Sequence, residues 1–140
     1  MIVIDTNIIA ALCIPSPQTK AAEALLATDQ NWHAPILWIS EFRNVVSKHI
    51  RRGSTSFPQA EVALHNARKT LPESHTHFPE DQRILELLSR SGCTSYDCEF
   101  VAVAESLDVP LVTWDGQVLK NFPERAVTPE AFVTHHRRKH

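Results

Sequence analysis

Glycine is scarce in this chain, with only 3 among 140 residues. Collagen-like, glycine-linker and low-complexity architectures are excluded on that ground, and no internal repeat is present. Cysteine is equally rare. Cys13, Cys93 and Cys98 are odd in number and lack C-x-x-C spacing, so neither a disulfide framework nor a cysteine zinc site is expected, and the three read as small buried thiols. No apolar run approaches the ~18 residues of a membrane span, and Met1 leads into a core-type segment without a basic leader. A soluble, cytoplasmic protein is the expectation. Neither sign of charge dominates: 14 Lys and Arg against 16 Asp and Glu give a net charge of −2, which argues against a general nucleic-acid coat.

What is present is an ordinary globular balance, 43% hydrophobic and 21% charged, in a chain of one-domain length. Proline, at 9 residues, supplies much of the punctuation. Met1–Ile4 is uniformly apolar and β-branched, as a strand covered on both faces should be. Helices are expected over 6–13, 18–28, 36–51, 56–69, 79–90, 96–107, 116–121 and 129–134, from their periodicity and their Pro and Gly stops. Ile39, Phe42, Val46, His49 and Ile50 form the expected buried stripe of the third. Further strands are expected at 33–34, 75–78, 110–113 and 126–127. This alternation predicts an α/β fold: a three-layer α/β/α sandwich around a central, mostly parallel sheet of about four to five short strands. Residues 1–134 read as one domain, and 135–140 as a basic, flexible tail.

Four acids stand at telling places on that frame. Asp5 and Asp115 each follow a strand, and parallel sheets bind ligands at the carboxyl ends of their strands. Asp97 lies in the first turn of a helix. Glu41 borders the apolar stripe of another, where an unpaired charge costs several kcal/mol, on the order of a buried ion. Plainer readings exist for each. Asp5 and Asp115 suit helix N-caps, Thr94 to Asp97 forms a capping-box pattern, and Glu41 has Arg43 nearby. Capping alone, however, explains neither Glu41 nor the Thr6-Asn7 pair beside Asp5, and it does not ask for Thr113 two residues before Asp115. Glu99, about 200° around its helix from Asp97, reads as surface. His75 and His77 share one strand face and resemble a metal pair, but with no third ligand in view an exposed strand is expected.

The segments I-D-T-N-I-I, S-E-F-R-N-V, S-Y-D-C-E-F-V-A-V-A-E-S-L-D-V-P-L-V-T-W-D and F-P-E-R-A-V-T-P-E-A-F resemble PIN-domain nucleases, above all the VapC-type toxins of toxin–antitoxin pairs. The likeness covers residues 1–52 and 93–133; residues 53–92 share only helical character. The resemblance implies that Asp5, Glu41, Asp97 and Asp115 hold one or two Mg²⁺ or Mn²⁺ ions and cut RNA, with Thr6, Asn7 and Thr113 beside the metal or its waters. With those four acids so used, 12 acids remain against 14 bases. All-oxygen donor sets suit such hard cations and suit zinc poorly. The resemblance further implies a homodimer silenced by a small antitoxin protein. Two positions depart from the family pattern. Trp114 fills a slot that is usually smaller, and Asp108 replaces a glycine at a helix end, where aspartate tolerates the left-handed conformation.

Arg43, Lys48, Arg51 and Arg52 are candidates to grip RNA phosphates, although the last three also suit a helix C-terminus. Three other readings stay open: a housekeeping PIN-domain RNA-processing nuclease, a non-catalytic PIN-fold RNA- or protein-binding module, and a phosphoacceptor receiver domain. The receiver needs an acidic pair after the first strand and a lysine after a late one, and D-T-N and T-W-D supply neither.

Overall fold

The structure, a computed structural model, describes residues 1–139. The first strand, β1 (Ile2–Ile4), is completely buried, as its unbroken apolar run requires. Burying three such side chains contributes roughly 1.5–3 kcal/mol each. The chain continues through α1 (Thr6–Cys13), α2 (Thr19–Thr28), β2 (Trp32–Pro35), α3 (Leu37–Arg51) and α4 (Phe57–Thr70). A turn of 3₁₀ helix (Glu73–His75) then leads to β3 (Thr76–His77), α5 (Asp81–Ser89), α6 (Ser95–Leu107), β4 (Leu111–Val112), α7 (Gly116–Asn121), β5 (Ala126–Val127) and α8 (Pro129–Lys139).

The five strands form one all-parallel sheet in the order β3-β2-β1-β4-β5. Helices α1, α3 and α4 pack together, with α2 on α1 and α8 on α2, while α5 packs on α6 and α6 lies along β1, β2 and β4. The expected α/β sandwich is therefore the observed one. The chain walks outward from β1 to β3 and returns to β4 on the other side of β1, which puts the topological switch point between β1 and β4. There Val3 pairs with Leu111 and Ile4 with Val112. Extending that register one step brings Asp5 level with Thr113.

Local chemistry explains most boundaries. Ser56 and Gln59 close a reciprocal capping box on α4, with Pro58 in its first turn. Asp108 ends α6 at φ +53°, the left-handed conformation expected there. The cysteines are free, Cys93 and Cys98 buried and Cys13 partly so.

Three expectations need correction. The stripe of α3 is Trp38, Phe42 and Val46, whereas Ile50 is 43% exposed. α8 continues five residues past its expected end, to Lys139, because Phe132 and Val133 seat it on the core and the helix propagates beyond that anchor. β3 is not an exposed strand: His75 and His77 are partly buried against a third histidine, the buried His33 of β2. The His33 and His75 rings stack with centroids 4.2 Å apart, and His33 Nδ1 lies 2.9 Å from His77 Nε2. Among the described residues, no helix is long and apolar enough to cross a membrane.

Candidate active site

The switch point gathers acids from four separate stretches of chain. Asp5 leaves β1 and caps α1: its Oδ1 accepts from the Thr6 amide at 2.7 Å. Its Oδ2 accepts from the hydroxyl of Thr113 at 2.7 Å, across a sequence gap of 108 residues. Thr113 is completely buried, and its hydroxyl also accepts from the Asp115 amide at 2.9 Å, so a single side chain joins the ends of β1 and β4. Asp115 caps α7, with its Oδ1 accepting from Gln117 and Val118 amides at 2.9 and 3.1 Å. On the α3 side, the buried Thr6 hydroxyl donates to Glu41 Oε1 at 2.7 Å. Asp97 sits in the first turn of α6, whose N-cap Thr94 accepts from the Asp97 amide at 3.1 Å.

The capping readings of Asp5 and Asp115 are thus true but incomplete, since each cap uses one carboxylate oxygen. Arg43 does not answer Glu41. Among the described residues, none of the four acids has a cationic partner. The charges instead face one another. Burial pushes the Asp5 carboxyl up to about 6, and the charges of Glu41 and Asp97 add to the rise against the bonds from Thr113 and Thr6. Glu41 is raised by burial and by Asp97, opposed by Thr6. Asp97 is raised by burial and by Asp115, opposed by its bonds to Thr94. The cluster is electrostatically continuous and lacks a counter-charge.

Glu99 belongs to this neighbourhood as well. It is partly buried, and its carboxyl is raised by burial and then by Glu41. Sequence reasoning set it on the surface. The signal lay in the run from Phe100 to Ala104, all buried, which marks α6 as a helix covered nearly all round, with little open surface to offer.

The donor set fits a hard divalent cation by chemistry and by charge: carboxylates with no cation among them. Asn7, two residues from Asp5, adds a buried Oδ1 that lacks any hydrogen-bond partner. Among the described residues, no three His, Cys, Asp or Glu side chains close around a common point, so the fit does not rest on a preformed cage. The phosphate-grip candidates Arg43, Lys48, Arg51 and Arg52 all lie exposed on or just past α3, and none makes an ion pair.

Comparisons with known proteins give three likenesses. The family model for the PIN domain matches residues 2–124. Ribonuclease VapC3 of Pyrobaculum aerophilum is 31% identical over 130 residues, spanning 91% of this chain and 98% of that protein. The crystal structure of PAE2754, also from Pyrobaculum aerophilum, superposes with a TM-score of 0.76 at 20% identity, covering 98% of this chain and 96% of that one. This last likeness concerns the fold.

Proposed function

The chain belongs to the PIN-domain family, in its VapC-type branch, and on that premise we propose that it is a Mg²⁺- or Mn²⁺-dependent endoribonuclease, the toxin of a toxin–antitoxin pair. The observation that carries the reading is the cluster of Asp5, Glu41, Asp97 and Asp115, drawn from four segments, mutually repelling and without a counter-cation. These four hold one or two ions, with Asn7 Oδ1 available beside Asp5. A bound divalent ion supplies an activated water and neutralises charge on the leaving oxygen of the phosphodiester.

The protein's own groups do the rest. Thr113 fixes the plane of the Asp5 carboxylate and the approach of the Asp115 backbone with one hydroxyl. Thr6 does the same for Glu41. Such bonds hold the donors in one orientation before substrate arrives, the condition for charge stabilisation without reorganisation. Asp5, with its carboxyl pushed up to about 6, can hold a proton when no ion is present and give it up when one binds. Arg43, Lys48, Arg51 and Arg52 contact RNA phosphates; the helix they occupy begins just before Glu41 and carries positive charge away from the acids over about 16 Å at 1.5 Å per residue. Ile50, Phe57 and Val62 expose apolar surface on the α3–α4 hairpin, which supports contact with a second copy and with an antitoxin protein. The apolar side of α2 is covered by α1 and α8.

The test is cleavage of RNA by the purified protein in Mg²⁺, Mn²⁺ or EDTA, beside an Asp5→Asn variant. Cutting should require the metal, and the variant should lose at least ~100-fold in turnover. Undiminished cutting in EDTA removes the metal mechanism.

A further inference from the structure

Between Thr113 and Asp115 stands Trp114, one of the two positions that depart from the family pattern. Strand alternation turns its side chain to the face opposite Thr113, so it points away from the acid cluster. It packs against the hydrophobic core and is only partly exposed. Its indole N–H is shared between the two carboxylate oxygens of Glu130, at 2.6 and 3.1 Å. Glu130 stands in the first turn of α8, and that helix is anchored on its own account. The Thr128 hydroxyl accepts from the Ala131 amide at 3.1 Å, Pro129 and Val133 are buried, and α2 packs along the helix. Glu130 is therefore a fixed post for the indole.

The turn that contains Trp114 needs such a post. The Thr113 amide donates to the Val127 carbonyl at 3.0 Å, which extends the β4–β5 pairing by one residue. From there the chain passes at once into α7, whose six residues are too few for a helix to stand on its own hydrogen bonds. Asp115 caps this short helix through Oδ1, while its own amide is held by the Thr113 hydroxyl. Drift of the turn would carry two groups of the site with it. One is the Asp115 carboxylate; the other is the Thr113 hydroxyl, which orients Asp5 at 2.7 Å. A hydrogen bond has only about half an ångström of play, and a misplacement of about 1 Å in a reacting site can cost about 10²-fold in rate.

We propose that Trp114 and Glu130 form a clamp that ties the Thr113–Asp115 turn to α8 and thereby positions Asp5 and Asp115 for the metal ion. Both are positioning residues, acting through Thr113 and the backbone of the turn. This rests on the metal-dependent ribonuclease reading above and adds two residues to it.

The test uses the full chain well below its thermal midpoint. For each variant it measures the Mn²⁺ affinity of the metal-free protein by calorimetry, then kcat and KM for RNA in Mn²⁺. Glu130→Ala and Trp114→Phe each open the clamp, and the phenylalanine keeps an aromatic ring on the core. Losing a direct partner of a metal ligand costs about 10–100-fold in metal affinity or activity, and the clamp stands one step further out. Each variant should therefore lower Mn²⁺ affinity about threefold to tenfold and kcat about tenfold. KM should change little, because the cations of α3 are untouched. Both changes remove the same interaction, so the double variant should be no worse than either single one. Glu130→Gln keeps an acceptor oxygen for the indole and should stay within about threefold of the wild type. A contact that only seats α8 would lower the melting midpoint and leave Mn²⁺ affinity and kcat unchanged, and that result overturns the clamp. Additive losses in the double variant, or a Glu130→Gln variant as defective as Glu130→Ala, overturn it too. A wild type that neither binds Mn²⁺ nor cuts RNA overturns the ribonuclease reading, and the clamp's role with it.

Discussion

Replacing Asp5 by asparagine should make the metal-free protein more stable at neutral pH while removing its activity. Asp5 is driven from an ordinary 3.8 up to about 6, by burial first and by Glu41 and Asp97 after it. At about 1.4 kcal/mol per tenfold change in acidity, keeping this carboxylate ionised costs the native state roughly 3 kcal/mol. A raised carboxyl pKa means that the folded chain holds the proton more tightly than the unfolded one. The stability it contributes is therefore complete below pH 3.8 and is lost as pH rises to about 6. Asparagine has no charge to bury, but its amide nitrogen replaces one accepting oxygen and weakens a bond from either Thr6 or Thr113, both at 2.7 Å. That loss offsets about 1–2 kcal/mol. The remainder, roughly 1–2 kcal/mol, corresponds to a midpoint about 3–6 °C higher in a chain of this size. Thermal melts in EDTA at neutral pH and near pH 4 provide the assay. The variant's advantage should be present at neutral pH and gone in acid. A variant less stable than wild type at neutral pH, or a difference that does not change with pH, would refute the reasoning.

The difference between the two proteins is needed because histidines act in the opposite sense over the same range. Burial, His75 and His77 lower the His33 pKa from 6.5 to about 4, and His77 is lowered as well. Neutral rings stabilise the fold above pH 6.5, and that contribution is lost as pH falls towards 4; a His33→Leu variant should show a shallower acid limb in the same melts. Thr113→Val and Thr6→Val remove the hydroxyls that orient Asp5 and Glu41, and each should lower kcat/KM about 10–100-fold while the circular dichroism spectrum stays native. Neutralising Arg51 and Arg52 with glutamine should weaken RNA binding evenly across sequences. It should also reduce the salt slope by about 0.7 for each phosphate that no longer meets a cation, as a titration over ionic strength would show.

Residues whose environment is set by their neighbours in the chain were legible in advance. The covered strand expected over Met1–Ile4 holds for Ile2–Ile4, with Met1 exposed outside it, and the D-T-N and T-W-D steps after strands place Asp5 and Asp115 at the sheet rim, where the structure has them. Thr113 was singled out from spacing alone, but its bond to Asp5 depends on β4 returning beside β1. Long-range packing hid the remainder. His33 is 42 residues before His75 in the chain, so a cluster of three histidines could not be read from the His75-His77 pair. The basic residues after Thr134 looked like a tail because their helix is anchored earlier, at Phe132 and Val133. Ile50 fits the apolar period of α3, yet lies near the end of the helix, past its buried Trp38, Phe42 and Val46. Glu99 lies off the Asp97 face of α6, and only the approach of Glu41 shows where it points.

The central claim is that four distant carboxylates share a divalent cation and that one of them carries a proton in its absence. Calorimetric titration of the metal-free protein with Mn²⁺ near pH 6, repeated in two buffers of different ionisation enthalpy, measures binding and proton release together. Binding accompanied by release of a fraction of a proton, with both lost in Asp5→Asn, is the predicted result. No binding at millimolar Mn²⁺, or binding with no proton released at that pH, would contradict it.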